Sequence, residues 1–423
     1  MECGQIPRID YGKFSAQLHG KAWSGGTIPV NGTLEVTQRC NLRCRHCYVP
    51  WAGRLGTADL GVELSDEPRI ETGGTALARA EVNRPPLSYE EICRLLDDIT
   101  EEGCLWLLIT GGEPLMRPDF LDIYDYAKRK GLLITLFTNA TLMTERIADH
   151  LAEYPPFLVE VTLYGATQAT YEAVTGVAGS FERCVQGIDL LVDRRIPLRL
   201  KTMALKTNSH ELPQMARFAS SRGLEFHFDH QILPRLDGSQ DPKRTRLTPE
   251  EMVAVDLAHP RRAEAWRDLI DRSRDVRIGS HLFGCGAGVG SFHMDAFGYL
   301  QLCGMVRGFS YDLRGGDFHE GYYGYFPYVR GLRRRSASIC DGCDIVNVCG
   351  ICPAWQEIEG DGQQGPVEYI HRYAKLLSEA LDLEGNAKSA ERYGEEVVVR
   401  EERLEWPGRG SEIGLSRPSE NGL

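Results

Sequence analysis

Between residues 33 and 257, short apolar runs alternate with segments of helical periodicity. The apolar runs predict strands at 33–37, 105–110, 132–139, 158–164, 197–205 and 225–229. Recurrence of apolar residues every three or four positions predicts helices near 88–99, 119–130, 144–152, 181–194, 211–222 and 248–257. Ser88 and Glu91 form a capping box at the start of the first helix, and Ser180 is the predicted cap of the fourth.

Apolar strands that alternate with helices are typical of a parallel sheet with both faces covered. Eight strand–helix units close a full barrel, so six units predict an α/β fold built on a partial, TIM-like (β/α)6 barrel. Functional residues in such folds lie at the C-terminal ends of the strands. The residues that follow the first two strands are therefore the first candidates for chemistry.

The pattern changes near residue 280, where glycines, aromatics and cysteines replace the alternation. A hairpin around 296–298 and a closing helix at 367–383 are predicted there. We divide the chain into an N-terminal extension (1–30), the barrel (31–235), a helical bridge (236–279), a C-terminal cysteine-rich domain (280–384) and a charged, flexible tail (385–423). Segment 51–86 has little periodicity and is predicted to be a long loop inserted into the barrel.

Charge and hydropathy narrow the class of protein. The formal net charge is −12, and the sequence has no long run of lysines and arginines that would indicate a basic surface. Both observations argue against a nucleic-acid partner. No apolar run has the roughly 18 residues of a membrane helix, and the N-terminus has no apolar core of a signal peptide. We expect a cytoplasmic protein without a membrane partner.

Cysteine placement is the strongest chemical signal in the chain. Nine of the 13 cysteines form two sets with metal-like spacing, whereas Cys93, Cys104 and Cys184 are scattered and predicted to be core residues. The first set directly follows the first predicted strand and has the spacing Cys-x3-Cys-x2-Cys, formed by Cys40, Cys44 and Cys47. Three thiolates leave one metal position open, unlike a closed four-ligand site.

A second motif, Thr110-Gly111-Gly112-Glu113-Pro114, follows the second strand. Glycines allow close backbone approach to a ligand, and a carboxylate pairs with an ammonium group. Taken alone, the cysteines are also compatible with zinc and the glycines with a tight turn. Both motifs in one strand–helix series resemble the radical SAM superfamily, over roughly residues 33–229.

That resemblance implies a [4Fe-4S] cluster on the three cysteines and S-adenosylmethionine (SAM) on its open iron. In the superfamily, an electron from the cluster cleaves SAM to a 5′-deoxyadenosyl radical, which takes a hydrogen from the substrate. Glu113 in the glycine motif would then bind the methionine amino group. Further implied SAM contacts are Thr162 near the ribose, Lys201 at the methionine carboxylate and Tyr48 at the adenine. No catalytic acid or base is assigned; Asp229 and Tyr164 are candidates at strand ends.

The second cysteine set resembles the SPASM extension, which carries up to two auxiliary [4Fe-4S] clusters. It comprises Cys285, Cys303, Cys340, Cys343, Cys349 and Cys352. The family pattern assigns Cys285, Cys303 and Cys352 to one cluster and Cys340, Cys343 and Cys349 to the other. This chain departs from the pattern in its last spacing and in having no later cysteine, so each cluster is one ligand short.

Two ways of completing these clusters stay open, as does a different metal. His281 or His371 is a possible fourth ligand, since histidine replaces cysteine on iron in some clusters, or one cluster keeps an open iron for substrate. A structural zinc site on Cys340, Cys343, Cys349 and Cys352 is the alternative, but it leaves Cys285 and Cys303 unexplained.

The resemblance implies a maturase that crosslinks, epimerises or oxidises a peptide or protein substrate. An external electron donor such as flavodoxin or ferredoxin is implied, and a separate leader-binding protein is a further expected partner. One alternative is a radical SAM enzyme acting on a tetrapyrrole or another small cofactor precursor. Another is a non-enzymatic iron–sulfur electron carrier or zinc-stapled protein, which the amino-acid clamp of the glycine motif disfavours.

Overall fold

The computed structural model describes residues 27–49, 84–273, 279–334, 340, 343, 345–350, 352–359 and 366–384. Most of the predicted N-terminal extension, nearly all of the 51–86 loop, part of the helical bridge and the C-terminal tail lie outside these residues. So does Cys3.

Six parallel strands form the barrel wall, as predicted. They are β1 (Asn31–Glu35), β2 (Trp106–Thr110), β3 (Leu133–Thr138), β4 (Leu158–Thr162), β5 (Leu198–Met203) and β6 (Glu225–Asp229). Each is hydrogen-bonded in parallel to the next in chain order. The apolar runs form strands because every second side chain is buried against the helices, as Leu34, Ile109 and Leu136 are.

Helices follow the strands on the outer side of the wall. They are α1 (Tyr89–Glu101), α2 (Phe120–Arg129), α3 (Glu145–Glu153), α4 (Gln168–Thr175), α5 (Ser180–Asp193), α6 (Leu212–Ser220), α7 (Pro249–Ala258) and α8 (Pro260–Ser273). The capping box of Ser88 and Glu91 is present, with both reciprocal hydrogen bonds formed. Ile92 and Ile99, at the predicted helical spacing, are fully buried.

Two helix predictions were wrong or incomplete. Ser180 is not the cap of α5: Gly179 occupies that position in the left-handed region, and the buried Ser180 hydroxyl hydrogen-bonds Thr175 instead. Helix α4 was not predicted at all, although Thr167 caps it with its side chain and Gly176 ends it with φ of 67°. Its apolar spacing is weak, which is why periodicity did not reveal it.

The C-terminal region adds three strands to the same sheet. These are β7 (Ser291–Met294), β8 (Tyr299–Gln301) and β9 (Ser310–Asp312), and β7 pairs in parallel with β1. The nine-stranded order is β6-β5-β4-β3-β2-β1-β7-β8-β9. The hairpin predicted around 296–298 is the β7–β8 turn, where Asp295 Oδ1 accepts from the backbone N–H groups of Phe297 and Tyr299.

The remaining helices close this region. A π-helix (Glu320–Tyr325) runs into α9 (Phe326–Gly331), followed by α10 (Val346–Cys349), α11 (Pro353–Glu359) and α12 (Glu368–Glu384). The aromatic run at 322–328 is mainly core packing, since Tyr322 and Phe326 are buried, although Tyr328 is exposed. In the described part of the chain, every helix is too short or too polar to span a bilayer.

Candidate active site

The three-cysteine loop follows β1 at the C-terminal edge of the wall. Cys44 is buried, and Cys40 and Cys47 are partly exposed. The loop turns back on itself, since Cys47 N–H donates to the Cys44 carbonyl at 3.3 Å. It rests on the C-terminal end of α4, where Arg43 N–H donates to the Thr175 carbonyl at 2.8 Å. The unpredicted helix α4 is thus the outer support of the loop.

Tyr164 lies beneath this loop. Burial raises the pKa of its hydroxyl well above the usual value, and Cys44, Cys47 and Cys40 add to the effect in that order. The His46 ring packs against it, with 5.0 Å between ring centroids. All three thiols therefore lie near enough to Tyr164 to influence its hydroxyl. Tyr164 was a candidate acid or base, and that role stays a prediction.

The glycine motif packs against the segment that leads into Cys40. Gly112 N–H donates to the Thr37 carbonyl at 2.7 Å, and Glu113 N–H donates to the Arg39 carbonyl at 2.8 Å. A Cβ on Gly112 would lie 2.3 Å from the Arg39 oxygen, and one on Gly111 would lie 2.2 Å from that of Thr37. The missing side chains of Gly111 and Gly112 thus allow close approach of the backbone at 37–39. The predicted approach of a ligand to these glycines stays a prediction.

Glu113 is fully buried and held by the neighbouring strand. Its carboxylate accepts from the Thr138 hydroxyl at 2.7 Å, from Asn139 N–H at 2.7 Å and from Leu115 N–H at 3.1 Å. Burial raises its pKa to about 7, while these three hydrogen bonds act in the opposite direction. Its predicted contact with the methionine amino group remains a prediction.

The sequence did not indicate the role of the polar residues at the end of β3. Asn139 donates from its side chain to Asn41 Oδ1 at 3.0 Å, and Asn41 donates to Thr141 Oγ1 at 2.7 Å. Ala140 between them has φ of 57°, a conformation that is uncommon for a residue with a side chain. The signal in the sequence was a polar run, Thr-Asn-Ala-Thr, directly after an apolar strand. These side chains link the third strand to the cysteine loop.

Thr162, the last residue of β4, is the register partner of Lys201 on β5. The Lys201 ammonium lies 2.9 Å from Glu160 Oε2 and 2.7 Å from the centroid of the Phe137 ring. Burial lowers its pKa well below the usual value, and Arg199 lowers it further. Lys201 thus faces a carboxylate of the chain itself, and its predicted pairing with the SAM carboxylate stays a prediction, as does the role of Thr162.

Tyr48 lies near a polar cluster that joins β1 to the C-terminal hairpin. Burial is the main cause of its raised pKa, and Glu35 is the next, while Cys47 and Cys303 also contribute. The predicted contact with adenine is untested. The neighbourhood itself is informative, since one thiol of each cysteine set lies close enough to act on the same phenol.

The polar cluster behind Tyr48 is buried and ionic. The Arg307 guanidinium donates to Glu35 at 2.7 Å and lies 3.4 Å from Asp295 Oδ2, and His293 Nε2 lies 3.3 Å from Glu35. Although burial raises the pKa of Glu35, Arg307 and His293 outweigh it and bring the value down to about 2. These contacts fix the hairpin, and with it Cys303, against β1.

Asp229, the other candidate acid or base, ends β6 and is exposed. Its Oδ1 accepts from Gln231 N–H at 2.9 Å, which is a local turn contact. The structure places Asp229 at the open end of the sheet order and Tyr164 at the cysteine loop. The roles of both as an acid or base stay predictions.

The structure brings the cysteines of the second set into two neighbourhoods. Burial raises the pKa of Cys352, and Cys303 and Cys285 add to the rise. Burial raises that of Cys349 to about 12, with Cys340 and Cys343 contributing. Cys352 therefore lies near Cys303 and Cys285, and Cys349 lies near Cys340 and Cys343. The SPASM pattern implied the same grouping, and the assignment of these cysteines to clusters stays a prediction.

The donor sets suit iron–sulfur clusters by their chemistry. Each of the three neighbourhoods offers three thiols, the ligands that such clusters use. In the described part of the chain, no three of the histidines, cysteines and carboxylates converge closely enough to hold a single metal ion. Two histidines were proposed as the fourth ligand of an auxiliary cluster. His281 is exposed, and its backbone pairs with that of Arg333, while His371 lies partly buried on α12.

Two of the three scattered cysteines predicted to be core residues are buried. Cys104 and Cys184 are buried, and burial raises the pKa of each to about 12. Cys93 is partly exposed beside Tyr89, so its assignment to the core was wrong.

A cavity of about 470 Å³ opens beside the cysteine loop. Its lining is basic, with Arg45, Lys206, Arg235 and Arg244 against the single carboxylate of Asp241. His46 also lines it, which places the cavity next to Cys44 and Cys47.

The chain is similar to proteins of known family. The family described as the radical SAM superfamily matches residues 34–219. The antilisterial bacteriocin subtilosin biosynthesis protein AlbA of Bacillus subtilis is 26% identical over 340 residues, 77% of this chain and 67% of AlbA. The AdoMet-dependent heme synthase of Methanosarcina barkeri is 24% identical over 345 residues, 76% of this chain and 90% of that protein.

A solved structure extends the likeness to the fold. Streptococcus suis SuiB bound to its precursor peptide SuiA superposes with a TM-score of 0.57 at 14% identity, covering 88% of this chain and 83% of SuiB. The partial barrel and the added C-terminal strands thus follow an arrangement found in known structures.

Proposed function

We propose that this chain, which belongs to the radical SAM superfamily, is an enzyme that abstracts hydrogen from a peptide or protein substrate and so modifies it after translation. The observation that carries the proposal is the grouping of its nine clustered cysteines into three neighbourhoods of three thiols, one at the barrel edge and two in the C-terminal region. A crosslink, an epimerised residue or an oxidised side chain are the candidate products.

The cofactors are those of the superfamily, a [4Fe-4S] cluster and SAM, with auxiliary [4Fe-4S] clusters in the C-terminal region. When bound, the first cluster and SAM supply a carbon radical able to take a hydrogen atom from an unactivated position. Cys40, Cys44 and Cys47 would hold that cluster. The glycine motif would fix the loop that carries them, because Gly112 and Glu113 donate backbone hydrogen bonds to it.

Substrate has an open side from which to approach. β6 ends the sheet order, and its inward-facing residues Glu225, His227 and Asp229 are exposed. An edge strand carries backbone N–H and C=O groups with which an extended peptide can pair. This favours a peptide over a compact molecule, and AlbA and SuiB, by name a bacteriocin biosynthesis protein and a protein that binds a precursor peptide, support the same class.

A tetrapyrrole precursor is the second candidate substrate. The heme synthase of Methanosarcina barkeri is matched over 90% of its length, and the basic cavity beside the cysteine loop suits the carboxylates of a porphyrin. This candidate predicts SAM cleavage that rises when a porphyrin is added.

Co-expression with a candidate precursor peptide, followed by mass spectrometry, tests the proposal. We expect the peptide to lose the mass of two hydrogens for a crosslink or oxidation, or to incorporate one solvent deuterium on epimerisation. Cys44→Ala should abolish the change, and Cys93→Ala, outside all three neighbourhoods, should leave it intact. An unaltered peptide, together with porphyrin-stimulated SAM cleavage, would replace the peptide proposal by the tetrapyrrole one.

A further inference from the structure

We propose that the basic surface around the three-cysteine loop is the docking site of an acidic one-electron carrier protein. We name this surface the cationic rim and define it by Arg43, Arg45, Lys206 and Arg244. The inference rests on the proposed function, because reductive cleavage of SAM consumes one electron per event. The carrier is oxidised by one electron, the C5′–S bond of SAM breaks, and methionine and a 5′-deoxyadenosyl radical are formed.

The rim begins on the cysteine loop itself. Arg43 and Arg45 flank Cys44 in the chain; both arginines are exposed, whereas Cys44 is buried. The loop is backed on its outer side by the end of α4, through the hydrogen bond from Arg43 N–H to Thr175. A protein that contacts these two arginines therefore comes within a few side-chain lengths of the thiols.

Two further elements complete the rim. Lys206 follows β5, and Arg244 lies on the short 3-10 helix Asp241–Thr245; both are exposed and line the cavity with Arg45. Lys206 N–H donates to the Thr245 carbonyl at 3.0 Å, so the two segments are joined. The one carboxylate in the lining, Asp241, lies 3.5 Å from Arg235 and is offset by it.

The sign of this surface is opposite to that of the whole chain. With a net charge of −12, the protein repels an acidic partner at long range except where cations are gathered. Complementary charge raises association rates by roughly 10 to 1,000-fold and loses that effect as salt increases. The rim is therefore the part of the described surface around the cysteine loop that would select an acidic carrier.

The position of the rim distinguishes the carrier from the substrate. Substrate must reach the inner face of the wall, where Glu160 and Lys201 project from β4 and β5. The rim lies instead at the junction of the cysteine loop with α4 and with the segments that follow β5 and β6. Electron delivery and substrate binding would thus use different sides of the same centre.

Stopped-flow reduction of the reconstituted protein tests the docking site. The donor is flavodoxin hydroquinone, an acidic carrier, and the variant is Lys206→Glu with Arg244→Glu. The matched control, Arg129→Glu with Lys375→Glu, makes the same charge change at exposed positions on α2 and α12. We expect the rim variant to slow reduction at low salt by at least about tenfold and to flatten its salt dependence, and the control to stay within about twofold of wild type.

Reduced methyl viologen, a small cation, separates docking from damage to the centre. Its reduction rate should be unchanged or faster in the rim variant, and iron content should equal that of wild type. Equal slowing in the rim and control variants would overturn the proposal. So would a porphyrin tetracarboxylate that binds wild type but not the rim variant, because the cavity would then be a substrate site.

Failure of the docking site is distinguishable from failure of the proposed function. Binding of oxidised flavodoxin, followed by fluorescence anisotropy, requires no SAM cleavage and should weaken about tenfold in the rim variant. If methyl viologen supports SAM cleavage while flavodoxin binds wild type and rim variant alike, only the docking site is wrong. If SAM is never cleaved under methyl viologen, the proposed function fails whatever flavodoxin does.

Discussion

Gly112→Ala is the sharpest test of how the glycine motif supports the cysteine loop. The added methyl group would lie 2.3 Å from the Arg39 carbonyl oxygen and 2.4 Å from that of Gln38, and both contacts are with backbone. Relief requires the two segments to separate, which breaks the hydrogen bonds at 2.7 and 2.8 Å from Gly112 and Glu113. Overpacking costs about 1–3 kcal/mol and each lost hydrogen bond about 0.5–1.5 kcal/mol, so we expect roughly 2–6 kcal/mol of destabilisation.

The assay is urea unfolding of the metal-free protein together with iron content after anaerobic reconstitution. Gly331→Ala is the control, because a Cβ there has no heavy atom within 4 Å. We expect Gly112→Ala to lose about four irons per chain, those of the first cluster, and Gly331→Ala to lose none. Wild-type stability and full iron content in Gly112→Ala would refute the conclusion that close packing of the two motifs holds the cysteine loop.

Three other predictions concern charge and metal content. Glu113→Gln should remove one pH dependence of the free energy of unfolding. The folded-state pKa of Glu113, about 7, exceeds the unfolded value, so wild type should lose about 3 kcal/mol of stability as pH rises from 4.5 to 7. Urea unfolding of wild type and variant across this pH range measures the difference. Arg307→Gln should lower the free energy of unfolding by about 3–5 kcal/mol at pH 7, because buried Glu35 loses its main partner. The difference from wild type, measured by urea unfolding, should shrink as pH falls from 4.5 toward 2, because wild type loses the benefit of the ion pair as Glu35 takes up a proton. Changing all three cysteines of the first loop to alanine should leave about eight irons in two auxiliary clusters; about four would mean one cluster, and zinc alone would remove the auxiliary-cluster interpretation.

Local patterns predicted the elements that depend on local physics. The six wall strands were evident because strands of a covered parallel sheet are apolar over most of their length. Ser88 and Glu91 predicted the start of a helix because both hydrogen bonds of a capping box form between residues only three positions apart. The three-cysteine spacing indicated a site for the same reason, since its ligands lie on one short loop.

Long-range pairings were not predictable in the same way. Nothing in residues 291–294 specifies that β7 pairs in parallel with β1, because that choice depends on which strand edge is available once the wall has formed. The segment that packs against Gly112 was likewise not predictable. A glycine indicates that another group approaches the backbone closely, but it does not identify that group. Asn139 and Asn41, which join two loops 98 residues apart in sequence, carry no spacing signal.

The pairing of β7 with β1 has a consequence for how the cysteine sets could communicate. Cys47 and Cys303 both lie near enough to Tyr48 to raise its pKa, and the Glu35–Arg307 ion pair is buried beside it. A buried ion pair of this kind is costly to form and is strongly destabilising to break from one side, so it resists relative movement of the two strands. If the two cysteine sets hold the clusters proposed above, the distance between the first centre and the nearer auxiliary group would be set by the sheet and not by a flexible linker. A fixed separation is what electron transfer between two centres requires, and it is also what a substrate held between them would need.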